Sequence, residues 1–387
     1  VFGSYEVDPS APTILVYGHY DVQPPDPLEL WETPPFSPQL RDGRIYARGS
    51  ADDKGQLFMH IKALDLLHQK KMVRCNVKFI IEGEEEIGSP NLSAILAQKK
   101  AQLKADVVLV SDTAMHGKDE PTITVSLRGL AYIEVKVKGP NRDLHSGVYG
   151  GVVENPAIVL AKLIAQLKDE KNRITIPSFY DKVKPISEEV KAYLERILFD
   201  EEQYKASVGV KALATEEGYS ALEAAGLRPS LDVNGMWSGY SGPGAKTVLP
   251  AVAGAKISMR LVPDQDPEEI AELALRYLQQ LAPPTVELEV TRHHGGLPFW
   301  TDMKTPAYKT AEEALKWTYG KTPLPSFEGG SIPILATMHS ILQIPIVLLG
   351  FGLPTDAIHS PNEHFHVEQF RKGIQTILAY HLLFEKP

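Results

Sequence analysis

Acidic and histidine residues recur in this chain wherever an apolar run ends. Thr13 to Tyr17 stops at Gly18-His19-Tyr20-Asp21. In extended chain His19 and Asp21 point to one side, so the carboxylate can orient an imidazole that binds a metal. Alone, that pair is a weak signal. Arg48-Gly49-Ser50-Ala51-Asp52-Asp53-Lys54-Gly55 stands directly before a helical pattern. A helix cap explains one aspartate there well and two less well. Glu82-Gly83-Glu84-Glu85-Glu86 follows the run Val77 to Ile81. Adjacent glutamates at the carboxyl end of a core strand repel one another unless a cation sits among them. Ser111-Asp112 follows Val107 to Val110, and Pro345 to Leu349 leads on to Asp356, His359 and Glu363. Five such places, four strand ends and one helix start, that each present Asp, Glu or His are hard to dismiss as five caps. A set of nitrogen and oxygen ligands without sulfur suits a catalytic zinc or manganese site.

The elements that must position these residues alternate in type. Strands Thr13–Tyr17, Val77–Ile81 and Val107–Val110 are separated by helical patterns over 53–69 and 92–100. This rhythm predicts an open, mostly parallel sheet with helices on both faces, and such sheets bind ligands at their carboxyl ends. On the helix 53–69, Leu57, Ile61 and Leu64 are expected in the core. Near residue 126 the style changes. Ala131 to Lys138 alternates strictly, so one face is wet. Helices over 156–167, 187–198, 219–225 and 267–281 and strands over 252–261 and 286–291 follow, predicting a small α+β layer of ferredoxin-like type. Beyond 297 the apolar style returns, with helices at 305–318, 332–342 and 366–384. The fold class is therefore α/β. A mostly parallel catalytic domain, 1–125 and 297–387, carries an inserted α+β domain, 126–296. Val1 is not an initiator methionine and stands almost inside a strand, so preceding residues are expected to be missing from the sequence.

The 387 residues carry a net charge of −9, which disfavours a nucleic-acid binder that depends on a basic face. The single cysteine, Cys75, rules out an intrachain disulfide framework and points to a reducing, cytoplasmic setting. It is expected to be a buried small apolar residue. The most apolar stretch, Ile332 to Phe351, is interrupted by Pro333, His339, Gln343 and Pro345 and is no bilayer span. His364 and His366, at the expected start of the last helix, are read as surface residues rather than ligands. Arg128 is left without a role. Gly239 to Lys246 fits neither a nucleophile elbow nor a phosphate loop.

In combination, GHYDVQP, RGSADDKG, EEIGS, SD, DLHSGVYGG, MRLVPD, EGGSIP and HSPNE resemble, in family order, the dinuclear zinc peptidases that include carnosinases, cytosolic nonspecific dipeptidase, aminoacylase and carboxypeptidase G. DLHSGVYGG and EGGSIP bring the dipeptidase and carnosinase branch nearest. The resemblance implies two divalent ions, zinc or else manganese. His19 and Asp112 would hold one, Glu86 and His359 the other, and Asp52 would bridge them with a cis peptide to Asp53. Glu85 would be the general base toward a metal-bridging hydroxide, and Asp21 would orient His19. His145 would stabilise the oxyanion, reaching in from the other subunit of a homodimer. Arg260 would grip the substrate's C-terminal carboxylate, helped by Gly330 and Ser331; Thr247 and His294 match further substrate-contacting positions. Residues 126–296 would be the lid and dimerisation domain. The implied activity is hydrolysis of dipeptides or short peptides with a free C-terminus. An N-acyl-amino-acid deacylase of the same group is the nearest competitor. A noncatalytic binding protein on this fold is the alternative from another class, although it would have no need of Glu85.

Overall fold

The structure is a computed structural model that describes residues 1–293 and 295–385. Its chain divides into two compact units. The first comprises Val1–Ser126, Trp300–Phe327 and the chain from Ile334; the second comprises Leu127–Phe299 and Glu328–Pro333.

A mostly parallel sheet is the frame of the first unit. Thr13–His19 lies between Asn76–Glu82 and Val107–Val110, parallel to both, and Ile346–Leu348 runs parallel to Val107–Val110. Phe2–Tyr5 adds an antiparallel edge strand. These strands are short apolar runs because both faces are covered. Helices Lys54–Gln69, Pro306–Tyr319 and Val367–Leu383 share a buried cluster with Ile14, Val16, Leu109 and Val347. The helix Lys54–Gln69 buries Leu57, Met59, His60, Ala63 and Leu67. Ile61, expected in the core, is instead 40% exposed. The buried stripe follows 56, 59/60, 63 and 67, and Ile61 falls outside it. Cys75 is buried, and burial pushes its thiol up to about 11.

A three-stranded antiparallel sheet, Gln39–Arg41, Arg44–Tyr46 and His364–His366, corrects a second expectation. The last helix begins at Val367, after the two histidines. Pairing of Tyr46 with His364 and of Arg44 with His366 fixes them in a strand, where His364 is buried and His366 partly buried.

In the second unit the sheet order is Ser230–Ser238, Val252–Leu261, Gly129–Lys138, Glu287–Arg292, antiparallel throughout. With helix Pro156–Ala165 after Gly129–Lys138 and helix Pro267–Leu281 after Val252–Leu261, the first and third strands in chain order, this is the ferredoxin-like arrangement. The strand Gly129–Lys138 alternates buried and half-buried positions, as its sequence pattern requires. Asp266 caps the helix Pro267–Leu281 by accepting the N–H groups of Glu268 and Glu269. The edge strand Ser230–Ser238 carries an irregularity between Val233 and Gly235. Its Trp237 lies across Gly254 so closely that a Cβ there would fall 2.1 Å from the indole.

Arg128 anchors backbone within this unit: its guanidinium donates to the carbonyls of Gly329, Ala224 and Arg228. Among the described residues no helix is long and apolar enough to cross a membrane.

Candidate metal centre

The parallel strands of the first unit deliver acidic and imidazole groups at their carboxyl ends. His19 closes the strand Thr13–His19. Glu85 and Glu86 sit in the one-turn 3-10 helix Glu85–Ile87 beyond Asn76–Glu82. Asp112 stands two residues past Val110, Asp52 and Asp53 precede the helix Lys54–Gln69, and His359 lies in the loop after Ile346–Leu348. The Asp52–Asp53 peptide is cis.

Asp52 divides its carboxylate between two histidines. Its Oδ1 is 3.1 Å from His19 Nε2, and its Oδ2 is 2.8 Å from His359 Nε2. His19 Nε2 also lies 3.8 Å from Asp112 Oδ1, and His359 Nε2 lies 3.5 Å from Glu86 Oε2. Two ligand atoms on one zinc, at tetrahedral angles, stand about 3.3–3.6 Å apart. The observed separations bracket that range. His19 Nδ1 donates to the carbonyl of Asp21 at 3.1 Å and lies 3.3 Å from its Oδ1, so Nε2 is left to face Asp52 and Asp112. Asp21 Oδ2 in turn accepts the N–H of Glu86 at 3.0 Å. Gln23 donates to Glu86 Oε2 at 2.9 Å, while Glu86 Oε1 is buried without a hydrogen-bond partner. Asp53 uses Oδ2 to accept the N–H of His19, and its carboxylate joins His19 and Asp112 in one cluster of possible ligands. Asp52, Glu86 and His359 form a second.

The electrostatics carry the same signature. Burial, then the neighbouring Asp112, pushes Glu85 up to about 8. Burial also raises Asp112, to about 6, against the pull of His19. Hydrogen bonds to Asp52 and Glu86 raise His359 to about 10. Burial opposes a charge on His19, but Asp112 and Asp52 outweigh it and hold its proton far above the ordinary imidazole range. The imidazoles retain protons because the carboxylates demand positive charge, which a divalent ion would supply in their place. Donor types, separations and the unsatisfied Glu86 oxygen all fit two divalent ions.

The sequence places Glu363 in the loop after Pro345 to Leu349 and at the end of HSPNE, without a role. It is fully buried, accepts from Arg48 Nη1 at 2.7 Å, and gathers the N–H groups of Gly49, Ala51 and Asp52. It thereby holds the loop that presents Asp52. RGSADDKG and HSPNE contain Arg48 and Glu363, but only the contact across the fold reveals their pairing.

The remaining candidates belong to the second unit. Arg260 Nη1 donates to Ser331 Oγ at 2.8 Å, and Ser331 Oγ donates to the carbonyl of Arg128. Burial lowers the Arg260 guanidinium from its ordinary value. Gly330 is exposed, with open space where a Cβ would stand. His145 is exposed and pairs in register with Val248; beside it, the carbonyl of Thr247 accepts the N–H of Ser146 at 3.1 Å. His145 Nδ1 accepts the N–H of Gly147, so the neutral ring carries its hydrogen on Nε2. His294 lies outside the described residues.

Residues 15–382 match the model of peptidase family M20/M25/M40. The chain belongs to this peptidase family. Among its M20 relatives, the Cys-Gly metallodipeptidase DUG1 of Saccharomyces cerevisiae is 35% identical over 388 aligned positions, covering 98% of this chain and 80% of the relative. The Beta-Ala-His dipeptidase of Homo sapiens is 31% identical over 381, covering 97% and 75%. Of solved M20 structures, the metallo-carboxypeptidase Sso-CP2 from Sulfolobus solfataricus superposes with a TM-score of 0.89 at 34% identity, covering 99% of this chain and 87% of that one. Human carnosine dipeptidase 1 gives 0.82 at 30%, covering 99% and 82%.

Proposed function

We propose that this chain is a metal-dependent dipeptidase that hydrolyses dipeptides or short peptides with a free C-terminal carboxylate. The observation that carries the reading is the divided carboxylate of Asp52, one oxygen toward His19 and the other toward His359. His19 and Asp112 would hold one divalent ion, Glu86 and His359 the other, with Asp52 common to both. Zinc is our choice of metal, with manganese also suited to the nitrogen and oxygen donors. The bound ions would polarise the scissile carbonyl and make water acidic enough to attack near neutral pH.

The chain's own residues do the rest. Glu85 takes the proton of the attacking water and delivers it to the leaving amine. Asp21 keeps the His19 ring turned, with Nδ1 occupied. Nε2–H of His145 serves as the oxyanion donor. Arg260, steadied by Ser331 and next to the open Gly330, offers a forked partner for a carboxylate; Thr247 and His294 are assigned to substrate contact by the motif match alone. In this reading residues 126–296 form the lid and dimerisation domain of a homodimer, each His145 serving the other subunit. The exposed Val148 and Val152, 67% and 85% accessible beside His145, support an interface there. A buried, unpaired Cys75 supports a cytoplasmic setting.

The test is metal content per chain, together with turnover of a panel of free dipeptides against N-acetyl amino acids. At least two equivalents of metal with preferential dipeptide cleavage is the expected result. Preferential release of acetate would make the protein a deacylase, and no turnover with metal bound would make it a binding protein.

A further inference from the structure

Asp356, in the loop leading toward the last helix, is fully buried. Its Oδ2 accepts the N–H of Leu353 at 2.8 Å, but its Oδ1 has no hydrogen-bond partner. Two ring nitrogens face that oxygen, His364 Nε2 at 3.9 Å and His366 Nε2 at 3.8 Å. Both nitrogens are themselves buried and without hydrogen-bond partners. The separations are too long for hydrogen bonds, yet the three atoms lie within 4.8 Å of one another. Buried polar atoms are normally satisfied, and three that converge on one point call for a common partner.

The tautomer of His364 indicates what that partner is. Its Nδ1 is 3.0 Å from the carbonyl of Asn362, an acceptor only, so Nδ1 carries the hydrogen and Nε2 presents a lone pair. A ligating histidine commonly has its other nitrogen occupied in this way. In the strand His364–His366 the two imidazoles project from the same side because they are two residues apart. A proton could satisfy at most one of the long contacts. The charge of Arg44 acts on Asp356, but Arg44 Nη1 donates to the Tyr46 hydroxyl and Oδ1 stays unpaired.

We infer that Asp356, His364 and His366 bind one divalent first-row transition ion, separate from the pair at Asp52. Two imidazoles and a carboxylate form a three-point set that suits zinc, iron or cobalt. The His366 side chain, 16% exposed, leaves a side on which water can complete the coordination. The ion would be structural. Between its ligands run His359, which approaches Asp52, and Glu363, which holds the loop 48–52. Tying Asp356 to His364 and His366 closes that segment into a ring and so positions both residues. No ligand of this site touches the cluster at Asp52, so its occupancy stands apart from the proposed function.

The experiment is zinc binding by equilibrium dialysis, with metal quantified per full-length chain. It compares the unsubstituted protein with His366→Gln, Asp356→Asn and Asp52→Ala. His366→Gln should bind one zinc fewer than the unsubstituted protein, whatever the total. Asp356→Asn should lose the same single equivalent. Asp52→Ala should keep that equivalent, and zinc should raise its thermal midpoint by an amount that His366→Gln abolishes. Because His366 lies at the edge of the site, its glutamine variant decides the question even if Asp356→Asn does not fold. Equal zinc content with and without His366 overturns the inference. A protein that binds a single zinc, lost in His366→Gln, would sustain this site while refuting the pair at Asp52.

Discussion

Replacing Glu363 with glutamine changes one heavy atom, an oxygen to a nitrogen, and almost no volume, but it removes the anion on which a whole loop converges. Glu363 and Arg48 are each about 1% exposed as side chains and lie 2.7 Å apart. The same carboxylate takes the N–H groups of Gly49, Ala51 and Asp52 at 3.0, 2.9 and 3.2 Å. In the variant, Arg48 stays buried without its counter-charge, and one amide face turns donors toward donors. Breaking one partner of a buried pair costs about 3–5 kcal/mol. At ~2–4 °C per kcal/mol for a unit of this size, the thermal midpoint of metal-free protein should fall by roughly 6–20 °C. Calorimetry on metal-stripped samples reads this without interference from ion binding. Adding Arg48→Met should recover only part of the loss, because the three backbone N–H groups still lack a charged acceptor. A Glu363→Gln midpoint within about 1 °C of the unsubstituted protein would refute the reasoning that this ion pair anchors the Asp52 loop.

Four further outcomes test the proposed chemistry and one titration. Glu85→Gln should lower kcat about 10²–10⁴-fold while leaving metal content unchanged, as expected when a general base is lost; unchanged turnover would remove Glu85 from the mechanism. Arg260→Ala should impair cleavage of free-carboxylate dipeptides far more than of C-terminally amidated ones, and equal losses in kcat/KM would exclude the clamp. Mixing His145→Ala with Glu85→Gln subunits should restore part of the activity through hybrid sites; no recovery after confirmed subunit exchange would count against sharing across a dimer. Burial lowers His60 to about 3 and His381 to about 4. Below about pH 6.5 the unfolded chain therefore protonates these two imidazoles while the folded chain does not, so as pH falls from about 6.5 toward 4 the metal-free protein should lose stability relative to a His60→Gln, His381→Gln variant, in which the raised carboxyls are unchanged. Urea midpoints of the two proteins across that window should diverge, and parallel profiles would contradict it.

Much of the fold can be read from sequence because its strongest signals are local. Val107–Val110 is buried at every position, and such runs announce a covered parallel strand. The helix Pro267–Leu281 announces itself through Asp266 as its cap and proline in its first turn. The strand Ser230–Ser238 was not anticipated. Its irregularity at Gly235 and its mostly exposed positions spoil the alternation that marks a strand. His364–His366 is not legible as a strand because three residues are too few to show a period, and pairing with Arg44–Tyr46 overrides the helix pattern that follows. At the site, motif order brought His19, Asp52, Glu86, Asp112 and His359 to attention, and the fold brings their ligand atoms together in pairs. The grip of Glu363 on Arg48 stayed hidden because it joins positions 315 residues apart. The exposure of Ile61 depends on which flank of its helix finds neighbours, which spacing alone does not specify.

One side chain, that of Asp52, serves two masters. It is short, with two torsions, and its oxygens sit on a rigid plane. Any rotation that improves the approach to His19 withdraws the opposite oxygen from His359. The two halves of the centre therefore cannot be tuned separately through this residue. An engineered glutamate would displace both at once, and adjusting one half alone requires changing residues that belong to it only, such as Asp112 on one side or Glu86 on the other.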